Sequence, residues 1–148
     1  KGFSRAELLD VYAVRRLLEV EAAARCAAEI SEDDLAQLRR VHAEMEQATA
    51  DGEVVAYLDA DERFLHALYT AAGNPVLMET IQLLWQRCRP YKIVGVRTAL
   101  EEGDPQQLLA LQREIADAAA AHDAARITTL TERSIDEAME RIREALPA

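Results

Sequence analysis

The sequence predicts an all-α domain, an antiparallel bundle of six to seven helices, on three observations. Half of the 148 residues are hydrophobic, while only five are glycine and four are proline, a mixture that favours long helices. Apolar residues recur at helical spacing along most of the chain. Capping residues and short junctions divide this pattern into segments of several turns, so neighbouring helices should be mostly antiparallel. We expect residues 1–148 to form one domain, since this length supports a single core.

The first two predicted helices begin at capping residues. Ser4 can cap a helix whose apolar face extends to about Glu29. The run Ser31-Glu32-Asp33-Asp34 has the pattern of a capping box, in which the serine and a later acidic side chain satisfy backbone donors. It therefore begins a second helix, which Asp51-Gly52 ends.

The third and fourth predicted helices meet at Gly73-Asn74-Pro75. A third helix spans Val54 to Ala72, although Glu53 to Tyr57 can also form a separate turn. The fourth, strongly apolar helix begins at this corner, because proline is favoured at the first helical position. Pro90 should kink or interrupt it, since the ring removes a backbone donor and clashes one turn back. We expect the helix to resume from Val94 to Leu100.

The last two helices are divided by a short junction. Asp104-Pro105 caps a fifth helix that continues to about Ala121. His122-Asp123 then leads into a sixth helix from Ala124 to Leu146. Together these elements complete the predicted bundle.

Charge and composition exclude several classes of protein. The formal net charge of −10 and the lack of a basic stripe predict that this segment does not hold DNA itself. No apolar run approaches a membrane span and no signal segment opens the chain, which predicts a soluble protein. Cys26 and Cys88 match neither metal nor redox spacing, so we expect core thiols in a reducing cytoplasm. Lys1-Gly2-Phe3-Ser4 begins abruptly, as if the chain were a piece of something longer.

Catalytic patterns are not recognisable in the sequence. It offers neither a nucleophile beside a base nor paired carboxylates, so we expect no enzyme. Glu62 with His66 has the wrong spacing for a di-iron bundle. Single histidines such as His42, His66 and His122 are more often solvated or capping residues than metal ligands.

Arg15-Arg16 is more informative, because one of two adjacent residues on this apolar helix must lie nearer the core. An ordinary salt bridge to Glu19 or Asp61 is as good an interpretation as a functional role. The residues by themselves therefore lead to an acidic helical bundle with a few interior polar groups, and not to a function.

Six short stretches, in order and at consistent spacing, resemble the FCD domain. This is the C-terminal ligand-binding domain of GntR-family transcription regulators of the FadR subfamily. The resemblance extends over essentially the whole chain. Its stretches are VRRLLE (14–19), AAARCAA (22–28), DERFL (61–65), AAGNPVL (71–77), IADA (115–118) and HDAA (122–125).

The resemblance implies a helical bundle around a central effector cavity and a homodimer built largely through this domain. It also implies a winged helix-turn-helix ahead of the domain in the full protein, which this chain lacks. Operator DNA would then be contacted only through that N-terminal domain.

Many members of the family bind a divalent metal through one aspartate and three histidines. Counting from Asn74 places Asp61 on the aspartate position, whereas Leu65, Gln112 and Ser134 fall on the histidine positions. His66 is one residue beyond, about 100° around the helix. Because zinc and nickel prefer nitrogen ligands, we expect that the metal site is lost and that no cofactor is held.

We expect the cavity to bind a small acidic effector, such as a carboxylate or acyl compound, directly. Asp61, Leu65, Gln112 and Ser134 would line it, and Arg15 would anchor the acidic group, since a guanidinium can pair with a carboxylate bidentately. The alternative is a helical dimerisation or interaction module with a degenerate, closed pocket, in which Leu65 helps to fill the space.

Overall fold

The computed structural model describes residues 3–148, and the first two residues of the abrupt start, Lys1 and Gly2, lie outside the described residues. The described part contains six α-helices and no strand, which confirms the predicted all-α class. The helices are α1 (Arg5–Glu29), α2 (Glu32–Asp51), α3 (Val54–Thr70), α4 (Pro75–Glu102), α5 (Pro105–Ala120) and α6 (Ala124–Ala145).

Local capping explains where these helices begin and end. The Ser4 hydroxyl accepts the Glu7 amide at 3.2 Å, and Ser31 forms a complete capping box with Asp34. Gly52 ends α2 in the left-handed conformation, at a φ of 69° that glycine adopts without a steric penalty. The predicted helix boundaries are therefore confirmed to within a few residues.

Two details of the prediction differ from the structure. No separate turn precedes α3, which is helical from Val54 onward. In addition, α4 is not interrupted at Pro90. The proline deprives one carbonyl of its donor, but buried residues on both sides, including Trp85 and Val96, hold the two halves of the helix in the core.

The long helix α1 is central to the packing. It contacts α6, α4, α3 and α5, whereas α2 packs mainly against α3 and α5. A large apolar cluster contains side chains such as Phe64, Leu38 and Leu68, all of which are fully buried. A smaller cluster joins the N-terminal half of α1 to α4 and α6, around Tyr12 and Cys88.

Both cysteines are free and fully buried, as predicted for core residues. Burial raises the pKa of the Cys26 thiol to about 12, which keeps it protonated and unreactive near neutral pH. Within residues 3–148, no helix combines the length and the apolar character needed to cross a bilayer.

Candidate functional site

The interior of the bundle contains a buried ion pair on α1. Arg15 and Glu19 are four residues apart and so share one face of the helix. The Arg15 Nε donates to Glu19 Oε2 at 2.7 Å, and Nη2 approaches Oε1 at 3.5 Å. Only 5% of Arg15 and 1% of Glu19 are exposed, so the pair is held away from water. Of the two salt bridges that the sequence left open for Arg15, the structure contains the one to Glu19.

The Glu19 carboxylate also connects three helices. The Tyr69 hydroxyl on α3 donates to Oε1 at 2.9 Å, and the Trp85 indole N–H on α4 donates to Oε2 at 3.0 Å. Burial, reinforced by the Glu19 charge, raises the pKa of Tyr69 well above its usual value, so the hydroxyl remains a donor. Each oxygen of Glu19 therefore has at least two partners.

Arg15 lies where the two apolar clusters meet. Its Nη1 is 3.7 Å from the Cys88 sulfur, and its guanidinium carbon lies 4.7 Å from the centre of the Tyr12 ring. An arginine over an aromatic ring is stabilised by the ring's negative face. Arg15 is thus paired with an anion on one side and packed on soft, polarisable groups on the other.

A second polar group surrounds Asp61 on α3. Asp61 is buried, and its Oδ1 accepts a hydrogen bond from Gln112 Nε2 on α5 at 2.9 Å. Its Oδ2 lies 3.8 Å from the Lys92 ammonium on α4. Burial raises the pKa of Asp61, although the Lys92 charge and the Gln112 hydrogen bond act in the opposite direction. The structure thus brings together two of the predicted residues, Asp61 and Gln112.

The other two predicted lining residues, Leu65 and Ser134, take no part in these polar contacts. Leu65, one turn after Asp61, is 7% exposed and belongs to the large apolar cluster. Ser134 is half-buried on α6, and no hydrogen bond among the described residues connects it to Asp61 or Gln112. Polar contacts in this interior therefore come from α1, α3, α4 and α5.

The residues around Asp61 do not fit a divalent metal. Leu65 and Gln112 supply no imidazole, and the nearby positive charge of Lys92 would repel a cation. Within the described part of the chain, no three His, Cys, Asp or Glu side chains are placed so that they could hold a metal ion. The histidines lie elsewhere: His42 is 3.2 Å from the Leu109 carbonyl oxygen, and His122 is 2.9 Å from that of Ala27.

Two concavities of the described residues lie on the outside of the bundle. One, of about 500 Å³, is a groove between α3 and α4 whose walls include His66, Trp85 and Arg89. The other, of about 490 Å³, runs along α6 beside Arg16. Neither is lined by Arg15, Asp61, Leu65, Gln112 or Ser134, so the central cavity stays a prediction.

Three residues that make polar contacts in this interior were not identified as such from the sequence: Tyr69, Trp85 and Lys92. The helical spacing contained a signal for one of them, because Trp85, Cys88 and Lys92 stand at i, i+3 and i+7 and so share a face of α4. Since Trp85 and Cys88 are strongly apolar, that face predicts a lysine turned towards the core.

The fold and these contacts define an all-helical domain with a charged, hydrogen-bonded interior that several helices share. The family model "FCD domain" matches residues 10–145. The chain therefore belongs to the FCD domain family, as the sequence resemblance indicated.

One curated protein and two solved structures show what this chain is similar to. It is 27% identical over 104 residues to the HTH-type transcriptional regulator McbR of Escherichia coli (strain K12), which covers 70% of this chain and 45% of that protein. The solved structure of E. coli McbR/YncC matches with a TM-score of 0.80 at 22% identity, over 95% of this chain and 66% of that one.

A second structure, Streptococcus agalactiae GntR, matches with a TM-score of 0.74 at 21% identity, over 90% of this chain and 58% of that one. The structural similarities establish the fold. The relatives named here are transcription regulators and not enzymes, and this chain spans about half to two-thirds of their lengths.

Proposed function

We propose that this chain is the effector-sensing and dimerising domain of a bacterial, cytoplasmic transcription regulator of the GntR family and its FadR subfamily. Membership of the FCD family and the similarity to two regulators support this. Because the chain spans 45% of McbR, we assign DNA binding to a winged helix-turn-helix in the remainder of the full protein. The net charge of −10 agrees with that division, since this domain would repel DNA.

The observation that carries the proposal is the polar interior shared by four helices. Burying charged groups is unfavourable and contributes little net stability compared with apolar packing. A domain that only had to hold its helices together would have little need for Arg15, Asp61 and Gln112 in this position. We therefore assign these three residues to an effector site, with Leu65 and Ser134 on its apolar and α6 sides.

The effector that suits this interior is a small acidic metabolite. An incoming carboxylate would share the Arg15 guanidinium with Glu19, or displace Glu19 from it. Since Glu19 connects α1 to Tyr69 of α3 and Trp85 of α4, such an exchange changes the contacts between three helices. A ligand that binds one arrangement of these three helices more tightly increases the fraction of molecules in that arrangement. We propose that this change in helix packing is what alters DNA binding by the rest of the regulator.

Thermal-shift measurements with organic acids, fatty acids and acyl-CoA esters test the effector site. At least one acid should raise the melting temperature in a saturable way, because a ligand that binds only the native state stabilises it. The amide analogue of the same compound, which lacks the negative charge, is the control. Equal shifts with acid and amide, or no shift with any compound, would contradict the proposal.

The exposed apolar surface supports dimerisation. Among the described residues, five of the seven exposed large apolar side chains lie on α1 and α4, two helices that pack against each other. A stable interface needs roughly 800 Å² from each partner, and we assign it to the outer side of these two adjacent helices. The five residues are Val14, Leu17, Val76, Leu83 and Val94.

Sedimentation equilibrium at micromolar concentration tests the dimer. The chain should sediment as a dimer, and Leu17→Glu should convert it to a monomer, because Leu17 is 71% exposed on α1. Val55→Glu is the matched control, since Val55 is 51% exposed but lies on α3. A wild-type monomer, or equal effects of the two substitutions, would count against the α1–α4 interface.

A second candidate function is a dimerisation or interaction module with a closed pocket. Leu65 is buried in the apolar cluster, and Asp61 and Gln112 satisfy each other through a hydrogen bond, which favours this alternative. It predicts a dimer that binds none of the acids, so the two measurements above separate it from the first proposal.

A further inference from the structure

Lys92 has an unusual position for a lysine. The sequence contains only two lysines, Lys1 and Lys92, against 15 arginines. Lys92 lies on α4 with its side chain only 15% exposed, beside the buried carboxylate of Asp61. Lysine is almost never buried without a partner, so its environment requires an explanation.

The two interior cations differ in how fully their donors are used. Arg15 donates to both oxygens of Glu19 and also contacts the Cys88 sulfur. The Lys92 ammonium approaches Asp61 Oδ2 at 3.8 Å, beyond hydrogen-bond distance, and the other Asp61 oxygen accepts from Gln112. Lys92 therefore interacts through charge while its three N–H groups are still available to an acceptor.

Two residues that disfavour regular helix stand on either side of Lys92 in α4. Pro90, two residues earlier, leaves the Gln86 carbonyl without its helical donor. Gly95, three residues later, is a weak helix former, and an added Cβ would meet open space there. Lys92 therefore lies between two residues with weak local helix preference, while buried residues on both sides keep the helix continuous.

We infer that Lys92 is the group that binds the carboxylate of the effector, with Gln112 as a second donor. The inference rests on the proposed function and identifies which interior cation the ligand contacts first. Gln112 Nε2 has two hydrogens, of which one is used by Asp61. The ammonium, held inside the bundle by Asp61, meets the ligand without the prior loss of a hydrogen bond, whereas Arg15 must first weaken its bonds to Glu19.

Isothermal titration with succinate and with octanoate, each compared with its amide analogue, tests this assignment. Lys92→Met should weaken binding of the acid at least tenfold, and Lys92→Arg should retain most of it. Arg89→Met is the matched control, because Arg89 lies on the same helix but pairs with Asp59 and Glu62 on the outer side. The affinity of the Arg89→Met variant for the acid should stay within about twofold of the wild-type value.

Labelling of the wild-type chain provides a readout that needs no variant. Acetylation followed by mass spectrometry distinguishes Lys92 from Lys1, the other lysine of the sequence. A saturating concentration of the acid should slow acetylation of Lys92 at least fivefold, whereas the amide analogue should leave the acetylation rate unchanged. This measurement decides the question if Lys92→Met does not fold.

The outcomes separate the two proposals. If an acid binds wild type and Lys92→Met equally and does not protect Lys92, the inference is wrong and the effector site stands. If neither acid binds the wild type, the inference is overturned for both compounds, and the wider thermal-shift series then decides the proposed function.

Discussion

Removing the Arg15 charge should destabilise the domain severely, whereas the same change at the next residue should not. The Arg15–Glu19 pair is buried, with Nε and Oε2 2.7 Å apart. At a charge separation of about 4 Å and an effective dielectric constant of about 20, the attraction is about 4 kcal/mol. Deleting one partner of a buried pair costs about 3–5 kcal/mol, because the other charge is left uncompensated. Arg15→Met should therefore lower the free energy of unfolding by that amount.

Arg16→Met is the matched control. Arg16 forms a bidentate pair with Asp136 at 2.8 and 3.1 Å, but 38% of its side chain and 54% of that of Asp136 are exposed. Exposed pairs contribute about 0–1 kcal/mol. Urea unfolding followed by circular dichroism measures the stability of both variants. If the free energy of unfolding falls by about 2 kcal/mol per molar urea, the midpoint should fall by about 2 M for Arg15→Met and hardly change for Arg16→Met.

A double variant tests the physical reason for this difference. Glu19→Gln in the Arg15→Met background removes the uncompensated charge while leaving an oxygen for Tyr69 or Trp85. It should therefore restore part of the lost stability, and the cycle should show a coupling of about 2 kcal/mol or more. Equal midpoints for Arg15→Met and Arg16→Met, or additive effects of Arg15→Met and Glu19→Gln, would refute the reasoning.

Three further predictions concern the surroundings of Asp61 and the end of α4. Dialysis with zinc or nickel should leave no stoichiometric metal on elemental analysis, since Lys92 opposes a cation beside Asp61; one tightly bound metal per chain would contradict this. Because burial raises the pKa of Asp61, the folded state binds this proton more readily than the unfolded state. Urea unfolding should therefore show the wild type gaining stability relative to Asp61→Asn as pH falls from 7 towards about 4, and a constant difference would be contrary evidence. Gly95→Ala should raise the free energy of unfolding by about 0.5–1 kcal/mol, because the position is helical and open; a loss of stability would show that this space is needed.

Helix positions could be read from the sequence because the signals are local. Ser4, Ser31 and Gly52 act within one turn of their own helix, so their effect does not depend on distant residues. Pro90 shows the limit of such rules, because burial on both sides outweighed a local penalty of about 3 kcal/mol.

The interior site was predictable only in part. Periodicity and family spacing placed Arg15, Asp61 and Gln112 in the interior, but they did not determine which partner each would have. That choice depends on how α3, α4 and α5 approach α1, which is a property of tertiary packing. For the same reason the partners of Tyr69 and Lys92 emerged only from the structure.

Native mass spectrometry after incubation with a bacterial metabolite extract tests the central claim, that this domain senses an acidic effector, most directly. The wild-type chain should retain one small molecule per chain, and this molecule should have a carboxylate. Gln112→Leu, which removes the amide beside Asp61 but leaves the Arg15–Glu19 pair intact, should retain much less of it. If the wild-type chain retains nothing, or if wild type and Gln112→Leu retain the same neutral compound equally well, this domain does not sense an acidic effector through this interior.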